Sequence, residues 1–207
     1  MTSVKYLLNA ADAAARMRAP ELAARWIRLS HVLGSVIPDG SAVELLQEVG
    51  RLDLLVRAME EDPDPMLHPL GPMSVTWVAL SYEVVRALHQ RRPTWPGIEP
   101  LLRRLELVRM PLLKFEIAQE GKNQMPPIEL YRSPPGPSDK PNRIYDKADR
   151  ERAYRPVGAL TPEGLSWGVV DSAAGRTVWV TRRSLADELL MLCQNDAGVT
   201  KGATSVN

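Results

Sequence analysis

Cysteine is almost missing from this chain of 207 residues. The single one, Cys193, excludes an internal disulfide, and no CxxC pair offers a zinc or redox site. It follows Leu189, Leu190 and Leu192 in an apolar helical run, so it reads as a buried thiol rather than a nucleophile. Nucleotide-binding and zinc-hydrolase signatures (GxxxxGK followed by Ser or Thr, GxGxxG, HExxH) do not occur, and aspartates never gather as a two-metal centre requires. No metal and no cofactor is therefore expected. Long apolar runs are lacking too. No stretch approaches the ~20 residues needed to cross a bilayer, and the opening MTSVKYLLNAADAAARMRAP has no long apolar core of a secretory signal. A cytoplasmic protein without membrane contact is the expectation.

Charge of one sign is also lacking. There are 26 basic and 25 acidic residues, a formal charge of +1. Residues 1–92 carry 10 basic and 11 acidic groups and residues 126–160 carry 7 and 5, so no segment has the excess that phosphate binding needs. An apolar share of 44% is enough for a packed core and too high for general disorder.

Residues 4–18 are rich in alanine, with Leu7, Leu8, Ala11 and Ala15 at helical spacing. Pro20 and Glu21 suit the first turn of a second helix over 20–36, whose Leu22, Trp26, Leu29 and Leu33 form one apolar face. Ser41 with Glu44 makes a capping-box pattern for a third helix, to about Met59, with Leu45, Val49, Leu52, Leu55 and Val56 on one side and Gly50 weakening its middle. The proline-broken EEDPDPMLHPLGP cannot continue it. Ser74 is placed to cap a fourth helix over 75–91, with a stripe of Trp77, Leu80, Val84 and Leu88. A fifth over 98–119 contains Pro111, which should kink it.

The character changes at Gly121. Six prolines fall within residues 126–141, an extended arm in which Ile128 to Arg132 suits a short edge strand. LSWGVVDSAAGRTVWVTRR then alternates as a β-hairpin, and Ser184 is placed to cap a closing helix. The expected fold class is α+β: a predominantly helical N-terminal block of about five helices, a small C-terminal antiparallel hairpin or sheet, and a closing helix. The expected organisation is a helical block over 1–120, a proline-rich and charged crossing segment over 121–160, a hairpin plus helix packed on the block over 161–195, and a frayed tail over 196–207. Any site is best sought at the seam between the two blocks.

SYEVVRAL, then LELVRMPLLKFEIAQ and IYDKADRERAYRP, resemble a group of uncharacterised bacterial proteins with SYE and LELVRMP-K-EIA motifs. The similarity covers roughly residues 75–193. It implies a genuine folded domain there and nothing about chemistry.

Three sets of residues are candidates for function. Arg28 with His31, and Arg86 with His89, share an Arg-x-x-His spacing on two helices. Helix-borne Arg/His pairs serve some ribonucleases as phosphate ligand and general acid or base. The HEPN ribonucleases have a longer gap, so their activity does not carry over, and an RNA-acting protein is an alternative reading. Glu83, Arg86, Glu106 and Arg109 place charge on two otherwise apolar helices, where pairs such as Glu83 with Arg109 or Glu106 with Arg86 imply a structural network or a small-ligand pocket. Arg143, Lys147, Arg150, Arg152 and Arg155, interleaved with Tyr145 and Tyr154, are the best nucleic-acid candidates, but Asp146, Asp149 and Glu151 largely neutralise them. Trp95, in a turn, is the tryptophan expected to be exposed, while Trp26 and Trp77 belong to core stripes. The leading expectation is a non-enzymatic interaction or regulatory protein of the bacterial cytoplasm, binding another protein or a copy of itself through Trp95 and the 126–141 arm.

Overall fold

In the computed structural model the described residues are 12–36, 40–62, 69–118, 128–130, 143–146, 148–149 and 152–199. Residues 4–11, His68, Lys147, Arg150, most of the 126–141 arm and the tail beyond 199 lie outside them, as do the side chains of Ser41, Arg143 and Cys193. The fold is α+β, with helices first, a small antiparallel sheet in the C-terminal part and a closing helix.

Helix α1 covers residues 12–18 and passes almost directly into α2 (Pro20–Val36). Trp26, Leu29 and Leu33 are buried as their spacing requires. The next helix, α3 (Gly40–Glu60), packs along α2. Gly50 has a reason to be there: a Cβ added to it would lie 2.8 Å from the Trp26 ring. The residue that weakens the helix is the one that lets α2 approach it.

Helix α4 (Leu70–Arg91) starts earlier than expected. Gly71 and Pro72 occupy its first turn, where a missing N–H costs nothing. Ser74 is consequently no cap but a buried residue whose hydroxyl has no partner among the described residues. Helix α5 (Ile98–Leu113) runs through Pro111 and stops short of 119. Its end is set by Phe115, which takes φ 60° where glycine is usual, and Phe115 is left exposed.

The strands β1 (Ile128–Leu130) and β2 (Arg143–Tyr145) form a two-stranded ribbon with Ile128 opposite Tyr145. The main sheet has the order β3 (Val157–Thr161), β4 (Gly164–Asp171), β5 (Arg176–Thr181), all antiparallel. The hairpin read from the sequence is β4–β5, and β3 adds a third strand joined to β4 by a two-residue turn. Helix α6 (Arg182–Val199) follows β5 without a linker, which puts Ser184 inside its first turn, bonded to the Thr181 carbonyl.

One core joins the blocks. Trp26, Leu46, Trp77 and Leu105 of the helices pack in a single cluster with Trp167, Val169 and Val180 of the sheet and Leu185 and Leu189 of α6. A second, smaller cluster holds Ile117, Tyr145, Tyr154 and Val170, with the two tyrosine rings edge to face at 6.2 Å. Burial pushes the Tyr154 hydroxyl up to about 12 even though it receives a backbone hydrogen bond; it donates to the Gly168 carbonyl at 2.9 Å.

Candidate functional site

The largest concentration of buried charge lies where α3, α6 and the start of β4 meet. Asp53 sits on the apolar stripe of α3 and is fully buried. Its carboxylate accepts from Trp26 Nε1 at 2.9 Å, from Arg57 Nε at 3.1 Å and from Arg182 Nη1. Arg182, the first residue of α6, is also fully buried, and its guanidinium lies 5.5 Å from the Trp77 ring centre. It bonds both oxygens of Glu60, at 3.2 and 3.1 Å. Glu60 further accepts from Arg183 Nε at 2.6 Å and from the Leu165 N–H at 3.0 Å. Burial pushes the Glu60 carboxyl up, but the charge of Arg182 and these hydrogen bonds outweigh it, so its pKa falls below the ordinary value. Every charge of this knot has a partner. It ties helices to sheet and leaves nothing free for a ligand.

Of the expected pairs, Glu83 does meet Arg109, at 3.3 Å, and Arg109 also stacks on Tyr82 at 4.4 Å. Arg86 is engaged with Glu83 at 2.7 Å. These groups and Glu106 belong to the α4–α5 pair and line none of the three described clefts. Arg28 and His31 sit on the exposed face of α2, Arg86 is exposed on α4, and His89 is half-buried. No hydrogen bond among the described residues links the two Arg/His pairs, and neither pair lines any of the three described clefts.

Trp95 is half-buried, and its Nε1 donates to the Leu192 carbonyl at 3.3 Å, so it latches the turn onto α6. Trp179 is the exposed tryptophan instead, 58% accessible, lying over Gly168 on the face of the sheet turned away from Trp167. Alternation along β5 assigns it that face, because Val178 and Val180 take the other. Within the basic run, Tyr145 and Tyr154 are buried and present no ring for base stacking. Arg152 donates to the Asp149 carbonyl, whereas Arg155 is exposed and has no partner among the described residues.

The most apolar of the described clefts is a groove of about 710 Å³ at the seam of the blocks. One wall is the first turns of α4, through Leu70, Gly71, Pro72 and Val75. The other is the inward face of the sheet at its β3 side, through Gly158, Leu160, Leu165 and Trp167, with Leu112 of α5 between the walls. Arg155 and Pro156 border it where the chain enters β3. Leu160 is 44% exposed here and Gly158 beside it is exposed, although Trp167 on the same face is buried. The other described clefts have charged walls that are paired only in part. One of 290 Å³ is bordered by Arg51, bonded to Glu48, and one of 510 Å³ by Arg57, bonded to Asp187 at 2.7 Å. Among the described residues no cluster of His, Cys, Asp or Glu has the arrangement of a metal site, and no helix is long and apolar enough to cross a membrane.

No protein-family model matches the chain, and no curated protein or solved structure matches it significantly. Sequence reasoning pointed to the seam, but as candidates it named no residue of the knot and only Arg155 of the groove's lining. Asp53 and Glu60 fall at helical spacing with Val49 and Val56, a polar pair on a buried stripe and hence a readable signal. The groove gave no such signal, because its α4 wall lies in a segment that reads as a loop.

Proposed function

We propose that this chain is a non-enzymatic protein-interaction module whose docking site is the groove at the seam of helices and sheet. The observation that carries the reading is an apolar groove bordered by an arginine that has no partner among the described residues. Apolar walls of this extent favour burying an apolar segment of another protein. The buried charges of Asp53, Glu60 and Arg182 are matched with one another, which disfavours that corner as a pocket for a charged small ligand. The buried tyrosines and the near balance of charge disfavour RNA.

The experiment uses Gly71, where an added Cβ meets no atom within 4 Å. A photo-crosslinking residue placed at 71 in cells should capture a defined protein that the same residue at exposed Glu99 does not. That protein, purified, should bind the wild-type chain and lose affinity for the Gly71→Lys variant. Equal capture at both positions, or equal affinity for both chains, defeats the reading.

A further inference from the structure

Strand β3 has only one paired edge among the described residues, and the direction of its free backbone groups follows from its neighbours. Leu160 pairs with Leu165, and the Leu165 N–H turns away from β3 to reach Glu60 at 3.0 Å. Residues 160 and 165 are thus a pair without mutual hydrogen bonds, so the bonded pairs of the ladder are 157, 159 and 161 of β3 with 168, 166 and 164 of β4. Gly158 and Leu160 then aim their N–H and C=O groups at the open edge. The same two residues present their side-chain positions to the groove.

From this we infer that the groove takes an extended segment of a partner protein, added antiparallel to β3. This rests on the docking function proposed above and specifies its mode. The added strand bonds the peptide groups of Gly158 and Leu160, and its alternate apolar side chains enter the space between Leu160, Trp167 and Val75. Arg155 lies before the first residue of β3, beside the C-terminal side of an antiparallel partner. Being exposed and unpaired among the described residues, it selects a carboxylate there, from an acidic side chain or from a chain terminus. A helical occupant would leave the edge groups of β3 unanswered, and a nucleic acid would meet one cation in an apolar cleft.

The probe is a displayed library of random linear peptides of about nine residues, long enough to span β3 and reach Arg155, selected on the full chain. Enriched peptides should alternate apolar and polar residues and carry an acid towards the C-terminal side. Amidation of the peptide terminus distinguishes a terminal from a side-chain carboxylate. Binding should slow amide exchange at Gly158 and Leu160 in the wild-type chain. Leu160→Pro removes an edge donor and should weaken binding about tenfold or more, and Arg155→Glu should reverse the charge preference. Peptides that Gly71→Lys excludes but that leave exchange at Gly158 and Leu160 unchanged overturn strand addition and keep the groove as docking site. Peptides indifferent to Gly71→Lys, or no enrichment at all, overturn both. Dimerisation of the chain that Leu160→Pro abolishes would assign the edge to a second copy and overturn the partner named here.

Discussion

The two ends of the seam are built on opposite terms. At the corner formed by Asp53, Glu60 and Arg182, charges are buried and each is answered by another. At the groove, apolar side chains are half-exposed and Arg155 is unanswered among the described residues. Buried charge is tolerated only with good geometry, so the corner holds the blocks in one arrangement. Uncovered apolar surface beside an open strand edge is left available for something else. Holding the sheet firmly at one corner allows it to stand off the helices at the other.

Removing the answer at the closed corner should give the largest effect. Arg182→Met leaves the carboxylates of Asp53 and Glu60 buried without their cation, a loss on the order of 3–5 kcal/mol, measured by urea unfolding. The corner's tie is also its specificity: the variant should lose cooperativity between near-ultraviolet signals of Trp167 in the sheet and Trp26 in the helices. A variant within about 1 kcal/mol of the wild type would show that the corner behaves as a surface ion pair.

The edge of β3 offers the next test, on residues one position apart. Ala159→Pro removes a donor that the ladder uses, at a cost of about 1–3 kcal/mol. Leu160→Pro removes a donor aimed at solvent and should cost markedly less in stability, because proline is accepted on the free side of an edge strand. Equal losses in thermal unfolding would mean that the inferred direction of the peptide groups is wrong.

A smaller effect follows from acid. The folded pKa of Glu60 lies below its ordinary value of 4.5. The unfolded chain therefore binds its proton first as pH falls, and the stability that Glu60 contributes is present above about 4.5 and lost as pH drops through the folded pKa. Glu60→Gln should be less stable at neutral pH yet decline less steeply under acid, which unfolding at a series of pH values would record.

The helical block was readable because its stripes follow the period of 3.6 residues: Trp26, Leu29 and Leu33 are buried where spacing put them. The β4–β5 hairpin was readable from alternation for the same reason. Boundaries failed where local chemistry has two meanings. Ser74 resembles a cap, but Pro72 is equally at home in a first turn, and packing of Leu70 extends the helix. Phe115 ends α5 in a conformation that its side chain disfavours, which no propensity anticipates. Trp95 was expected to be exposed but is half-buried, and Trp179 is exposed, because a tryptophan's exposure depends on what the rest of the chain lays over it. The groove is tertiary throughout. Its walls come from residues 70–75, 112 and 155–167, and no local pattern relates them.

The smallest expected change returns to the open end, at Gly71. This glycine lies in the first turn of α4, with no atom within 4 Å of an added Cβ and no left-handed φ to preserve. Gly50 is the opposite case, since the Trp26 ring already occupies the space of its missing side chain. Gly71→Ala should therefore raise stability by about 0.5 kcal/mol, the helix propensity gain reduced by its place at the helix end. A gain shows that the chain forgoes stability where the groove begins, and the missing methyl then widens the α4 wall for an occupant. A loss in thermal unfolding would mean that the wall is already packed, and the open end would then resemble the closed one.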